Sequence, residues 1–259
     1  MKTLISNRWR RMVTVPLPVV LMGAGLLFSG AAFAQTTTIV GTAHDFTGSG
    51  LIDTGNEICV VCHAPHNTYD GTEGNAGGDI ANLGPLWNRA LTAVTSYSMY
   101  NTTVRLGSDI DATDMGTGQP SGVSKLCLSC HDGTIAIDSY GRDGAGLPVT
   151  GGPLVTAFNE NANIGEGTGA TGILENDHPV GFTFTNSVST LDPEIAAYGA
   201  GVVTGLKGTD MPLFGLGSDQ MECATCHDVH ATGTFDKLLR VQNNDPLDPS
   251  ALCLNCHIK

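Results

Sequence analysis

Four short stretches of the chain can do chemistry, and they share one pattern: Cys59-Val60-Val61-Cys62-His63, Cys127-Leu128-Ser129-Cys130-His131, Cys223-Ala224-Thr225-Cys226-His227 and Cys253-Leu254-Asn255-Cys256-His257. On one turn of helix, residues i and i+3 share a face, so two thiols can reach the two vinyl groups of one porphyrin and form thioethers. The next residue, i+4 from the first cysteine, stays on that face and offers its imidazole to the iron as proximal ligand. The spacing is that of c-type haem attachment. The chain has eight cysteines and these motifs use them all, leaving none for a disulfide or a lone nucleophile.

Two other chemistries compete for cysteine pairs. Zinc ribbons use C-x-x-C, but they do not require a histidine directly after each second cysteine, and here all four motifs carry one. Disulfides suit an exported chain with an even cysteine count, but they leave the four histidines unexplained. The chain has eight histidines in all, so four remain: His44, His66, His178 and His230. Four attachment motifs and four spare histidines match a tetrahaem protein, with His63, His131, His227 and His257 proximal and His44, His66, His178 and His230 distal. Met99, Met115, Met211 and Met221 are the rival distal ligands. Placement favours histidine, because His66 and His230 stand three residues past His63 and His227. A histidine so placed cannot close its own iron, since both imidazoles would lie on one face of the ring. It must serve a different haem, which requires stacked porphyrins.

The order of residues repeats: a leading histidine, a C-x-x-C-H-x-x-H, then a plain C-x-x-C-H. The expected organisation is an export signal at 1–34, a first two-haem unit at 35–150 and a second at 151–259, the two packed as one compact domain with a glycine-rich joint near 145–170. The simplest wiring is local, pairing His44 with His63, His66 with His131, His178 with His227 and His230 with His257. In a second wiring His66 crosses to a haem of another copy. The ligand bond then joins subunits head to tail, and a heterologous contact that does not close gives a filament.

Lys2, Arg8, Arg10 and Arg11 precede an apolar run from Val13 to Phe28, and Ala32-Phe33-Ala34 fits a cleavage site before Gln35. Removing residues 1–34 takes four basic and no acidic residues from a formal charge of −13 and leaves −17. Such a surface argues against nucleic acid or anionic lipid as partner. No later stretch is apolar enough to span a membrane as a helix, so the mature chain is expected to be exported, at the cell surface or in the periplasm.

Glycine is abundant, 34 residues in all, and Thr, Asn and Asp fill the gaps between motifs. This composition favours turns over long helices or regular sheets, so the expected fold is mostly irregular, with a few short helices and little strand. A multihaem cytochrome fold of this kind wraps a stacked chain of four haems, and the porphyrins serve as the core. Asp192-Pro193-Glu194 reads as a helix start, and Asp248-Pro249 as the start of a helix carrying the fourth motif. Ser121 or Ser124 would cap a turn leading into the second motif. Residues 84–91 would hold a further turn, with Trp87 on a haem edge, and Val180–Phe184 alternates like a short strand. The acidic segments Asp70–Asn75 and Asp109–Asp114 lack the spacing of a calcium loop and read as solvated.

The phrases His44-Asp45-Phe46, Ile58-Cys59-Val60-Val61-Cys62-His63-Ala64-Pro65-His66-Asn67, Pro85-Leu86-Trp87-Asn88, Leu126-Cys127-Leu128-Ser129-Cys130-His131-Asp132-Gly133 and His178-Pro179-Val180-Gly181-Phe182 resemble the doubled C-x-x-C-H cytochromes. In particular they are similar to the tetrahaem extracellular cytochromes of metal-reducing bacteria that polymerise into conductive filaments. That resemblance implies bis-histidine haems in alternating parallel and T-shaped pairs and an iron ligand donated between subunits, here His66 to the His257 haem of a neighbour. With two strong ligands on every iron the expected role is electron transfer rather than catalysis. The partners would be further copies of the chain, other redox proteins and an external acceptor such as a metal oxide. A monomeric electron shuttle is the alternative. A multihaem reductase would need an open iron or a C-x-x-C-K motif, and the sequence has neither.

Overall fold

Short apolar runs between turns give this chain short elements. The computed structural model describes residues 38–63, 87, 89, 91–92, 94–100, 119–120, 122–140, 152–165, 167–168, 171–184, 194–196, 198–199, 201–205, 208–215, 217–230, 234–243 and 245–258, all within the unit Ala34–Lys259. Most of them are turns, bends and coil. None of their helices is long and apolar enough to cross a membrane.

Two helices carry motifs. Helix α1 spans Gly122–His131 and α2 spans Cys223–Cys226. Helix α1 stops where Gly133, at φ +70°, lets its own N–H and that of Asp132 return to the carbonyls of Cys130 and Leu128 (both 3.2 Å). Three small sheets complete the regular structure. Strand β1 (Ser96–Met99) pairs in parallel with β3 (Thr171–Leu174), and β2 (Gly167–Thr168) joins the other side of β3. Strand β4 (Phe182–Thr183) pairs with β8 (Gln220–Met221). Strands β5 (Tyr198–Gly199), β6 (Val202–Val203) and β7 (Met211–Pro212) form an antiparallel meander. The β1–β3 pairing ties residues before position 150 to residues after it, so the two sequence halves interleave.

Side chains gather in three separate apolar clusters, and each backs a motif. Phe46, Val61, Ile137 and Val155 pack against Cys62 and Cys130. Val94, Tyr97, Leu128 and Leu174 pack around α1. The largest cluster, with Phe182, Phe184, Val203, Met211, Leu213 and Met221, packs against Cys226 and Cys256. The chain thus builds more side-chain core than its composition suggested. The strand expected at Val180–Phe184 forms in part, at Phe182–Thr183. Phe182 and Phe184 are both buried, as same-face residues of an alternating strand should be. Gly181, at φ +77°, lies so close to the backbone of Gln119 that an added Cβ would collide with it.

Two helix expectations fail. Glu194–Ala196 is a turn and a bridge rather than helix: Ile195 bridges His257, and Ala196 N–H reaches the Cys256 carbonyl at 2.7 Å. Pairing with the fourth motif outweighs the local preference for helix. The fourth motif itself sits on a 3₁₀ turn, Cys253–Asn255, preceded by turns from Asp248. The joint is not merely a loop, since it holds 3₁₀ turns at Val155–Ala157 and Glu160–Ala162. Asp70–Asn75, Asp109–Asp114, Ser121, Asp192, Pro193, Met115 and His66 lie outside the described residues.

Candidate metal centres

Each motif is one tight turn. His63 N–H donates to the Cys59 carbonyl at 2.8 Å, His227 N–H to Cys223 at 3.1 Å and His257 N–H to Cys253 at 2.9 Å. The second motif occupies the end of α1. In all four, the residue just before the second cysteine is buried: Val61, Ser129, Thr225 and Asn255. That residue anchors each turn and fixes where its thiols and imidazole stand. Ser129 Oγ donates to the Leu126 carbonyl (2.6 Å), and Asn255 Nδ2 donates to the Thr209 carbonyl.

The second and third motifs cap one another. Ser124 Oγ accepts the N–H of Cys223 at 3.0 Å, and Glu222 Oε2 accepts the N–H of Ser124 at 3.3 Å. Glu222 also forms a capping box with Thr225 on α2, and its own N–H reaches Thr225 Oγ1 at 3.0 Å. Ser124 was expected to cap the helix of its own motif. It lies inside α1 instead and caps the helix of the next motif. This arrangement brings the Cys127 and Cys223 thiols into hydrogen-bond contact.

The thiols therefore run in chain order. Burial, then the neighbouring Cys130, pushes the Cys62 thiol up to about 11. Cys127 meets Cys223. Burial, then Cys256, pushes the Cys226 thiol up to about 12. All eight cysteines are free of disulfides. Among the described residues no three or more His, Cys, Asp or Glu side chains are grouped to hold a metal ion.

The histidines come together two by two. Ring centres of His44 and His131 lie 5.9 Å apart, those of His63 and His230 6.2 Å, and those of His178 and His257 6.3 Å. A metal–imidazole bond of about 2.0 Å and about 1.1 Å from nitrogen to ring centre put two imidazoles on opposite sides of one iron about 6.2 Å apart. The spacing matches two imidazoles on one metal ion, and it also lies within the range of edge-on ring contact, as Trp87 on His63 shows.

Backbone carbonyls orient several of these rings. Nδ1 lies 2.7 Å from the Ala162 carbonyl in His131, 2.9 Å from that of Lys237 in His227 and 3.0 Å from that of Pro179 in His178. A carbonyl can only accept, so each Nδ1 carries the proton and leaves Nε2 with its lone pair for a metal. Burial, with His131 and His227 nearby, lowers His44 to about 4, so its ring is neutral at pH 7. Asp132, buried beside His131, accepts from Tyr97 Oη at 2.8 Å and from Thr134 Oγ1 at 2.7 Å. Trp87 bridges the backbone of His63 and sets its ring edge-on to that imidazole, with centres 6.0 Å apart.

The imidazoles that come together differ from the local pairs: His44 lies beside His131, His230 beside His63 and His178 beside His257. The packing of α1 on α2 sets the halves side by side and lets His230 of one reach the His63 motif of the other, while the other two pairs each lie within one half. No second described imidazole stands at this spacing from His227. Met211 and Met221 are buried in the largest apolar cluster and Met99 packs beside another, so these three serve as packing. The carbonyls of Ala162, Lys237 and Pro179 carry no sequence signal and were missed; so was buried Arg89, which lies within a stretch read only as a turn.

Residues 217–259, which hold the third and fourth motifs, match the family described as the doubled CXXCH motif. No curated protein matches the chain. The match and the motif geometry indicate covalently bound c-type haem, and a cytochrome that transfers electrons. Thiols on one turn, an oriented imidazole and a second imidazole at ligand spacing all fit that group.

Proposed function

We propose that the chain is a tetrahaem, bis-histidine c-type cytochrome that conducts electrons as the repeating subunit of an extracellular filament. The observation that carries this is the set of three imidazole pairs at 5.9, 6.2 and 6.3 Å, with Cys62 and Cys130 on one apolar cluster and Cys226 and Cys256 on another. Bound haem supplies a one-electron iron couple. The protein's part is to hold it. Cys59/Cys62, Cys127/Cys130, Cys223/Cys226 and Cys253/Cys256 would hold the haems covalently, the imidazoles of His63, His131, His227 and His257 with His44, His178 and His230 would ligate iron, and the three apolar clusters back the motif turns.

His227 has its Nδ1 tied to Lys237 and no described imidazole opposite, and His66 is the one histidine still to place. Donation of His66 to the His227 iron of a neighbouring copy would chain subunits head to tail, toward an external acceptor such as a metal oxide. The same donation within one chain would give a shuttle. The net negative charge of the mature chain suits an exported, soluble surface. Intact-mass measurement of the purified protein should find four haem adducts on a chain beginning at Gln35, and electron microscopy should show filaments. Fewer adducts would refute the tetrahaem reading, and uniform single-chain particles would refute the filament.

A further inference from the structure

Arg89 is a fully buried cation, at 0 % exposure. Its Nη1 donates to the Ile137 carbonyl at 2.6 Å and its Nη2 to the Ala136 carbonyl at 2.8 Å, while its Nε has no described partner. Its backbone bridges Tyr140. Ile137 and Tyr140 belong to the cluster that packs against Cys62 and Cys130, so the guanidinium lies beside the thiols of the first and second motifs. Its charge accordingly acts on both thiols and on Tyr140, against the burial that raises all three.

Among the described residues no carboxylate forms an ion pair with Arg89. Among the described residues, the acids that act on its neighbours are Asp53 and Asp138, both exposed beside Tyr140, and Asp132, which acts on Cys130 and is held by Tyr97 and Thr134. Arginine does not deprotonate in proteins, so this charge is permanent.

The second half holds a contrasting cation. Arg240 donates through Nε to the Ala224 carbonyl at 2.9 Å, inside the third motif, but its Nη1 pairs with Asp228 at 3.3 Å and the side chain is 24 % exposed. Among the described residues, the first half holds a cation away from water with no carboxylate paired to it, and the second a cation paired with Asp228 nearer water.

A buried cation favours the reduced state of a neighbouring iron, because taking up one electron lowers the positive charge it faces. We propose that Arg89 sets the reduction potential of the haems held by the first and second motifs above that of the haems held by the third and fourth. Electrons then dwell on the first half of each subunit. This rests on the tetrahaem reading.

The test is spectroelectrochemical titration of the haem-loaded protein, with its haem content and six-coordinate spectrum checked beforehand. Loss of that spectrum in the parent protein would count against the tetrahaem reading itself. Arg89→Met should lower the ferrous-to-ferric ratio about tenfold at fixed potential in about half of the haem signal, which for one electron is about 59 mV. Arg89→Lys, keeping the charge, should stay near the parent. Asp228→Asn keeps the acceptor for His230 N–H (3.0 Å) but frees the Arg240 charge, and should shift the third-motif haem upward. That variant decides the matter if Arg89→Met does not assemble. Titrations superimposable on the parent in both variants, or an equal shift of all haems in Arg89→Met, would overturn the proposal.

Discussion

Glu222 is the residue on which the packing of the two central motifs most depends, and Glu222→Ala puts a number on it. The side chain is 1 % exposed and serves two helix starts, accepting from Ser124 N–H on α1 at 3.3 Å and from the Thr225 backbone on α2. Loss of an N-cap costs about 1 kcal/mol. A buried N–H deprived of a charged acceptor costs about 1.5–3 kcal/mol more, so the variant should lose about 3 kcal/mol. At a guanidinium slope of about 3 kcal/mol per molar, the unfolding midpoint should fall by about 1 M. Trp87 is the only tryptophan beyond residue 34, so its emission reports the transition. Ser124→Ala removes the reciprocal bond to Cys223 N–H, and the double variant should show about 1 kcal/mol of coupling. A Glu222→Ala midpoint within about 0.2 M of the parent, near the scatter of surface substitutions, would refute the reciprocal-cap argument.

Two further outcomes follow from the same geometry. His230→Gly removes the imidazole facing His63, so the reduced protein should bind one carbon monoxide per chain, with exogenous imidazole competing. The perturbed haem should be the one whose proton resonances couple to the Trp87 ring, because Trp87 abuts His63. Perturbation of the fourth-motif haem instead would restore the local wiring. Gly181→Ala drives a Cβ into the Gln119 backbone at a φ of +77° and should cost about 2 kcal/mol, measured as a shift in thermal midpoint; an unchanged midpoint would show that the backbone at Gln119 yields freely.

The chemistry was legible because it is local. Cys59, Cys62 and His63 need only one turn between them, and the same holds for the other three motifs. The low content of regular structure followed from glycine and turn-forming residues, and the Phe182/Phe184 alternation gave the one strand foreseen. Pairing was not legible. His230 lies close to His257 in sequence but faces His63, because the packing of α1 on α2 is a long-range event that Ser124 and Glu222 seal over nearly a hundred positions. Glu194–Ala196 is not helical for a similar reason, since the fourth motif uses Ala196 and Glu194 as backbone partners. The anchors of His131, His178 and His227 are backbone carbonyls, which no residue type announces.

The most direct test of the whole account is a density map of the haem-loaded protein that resolves the axial ligands. The account predicts iron between His44 and His131, between His63 and His230 and between His178 and His257, with His66 on the iron of His227. Iron between His44 and His63, or between His230 and His257, would contradict it.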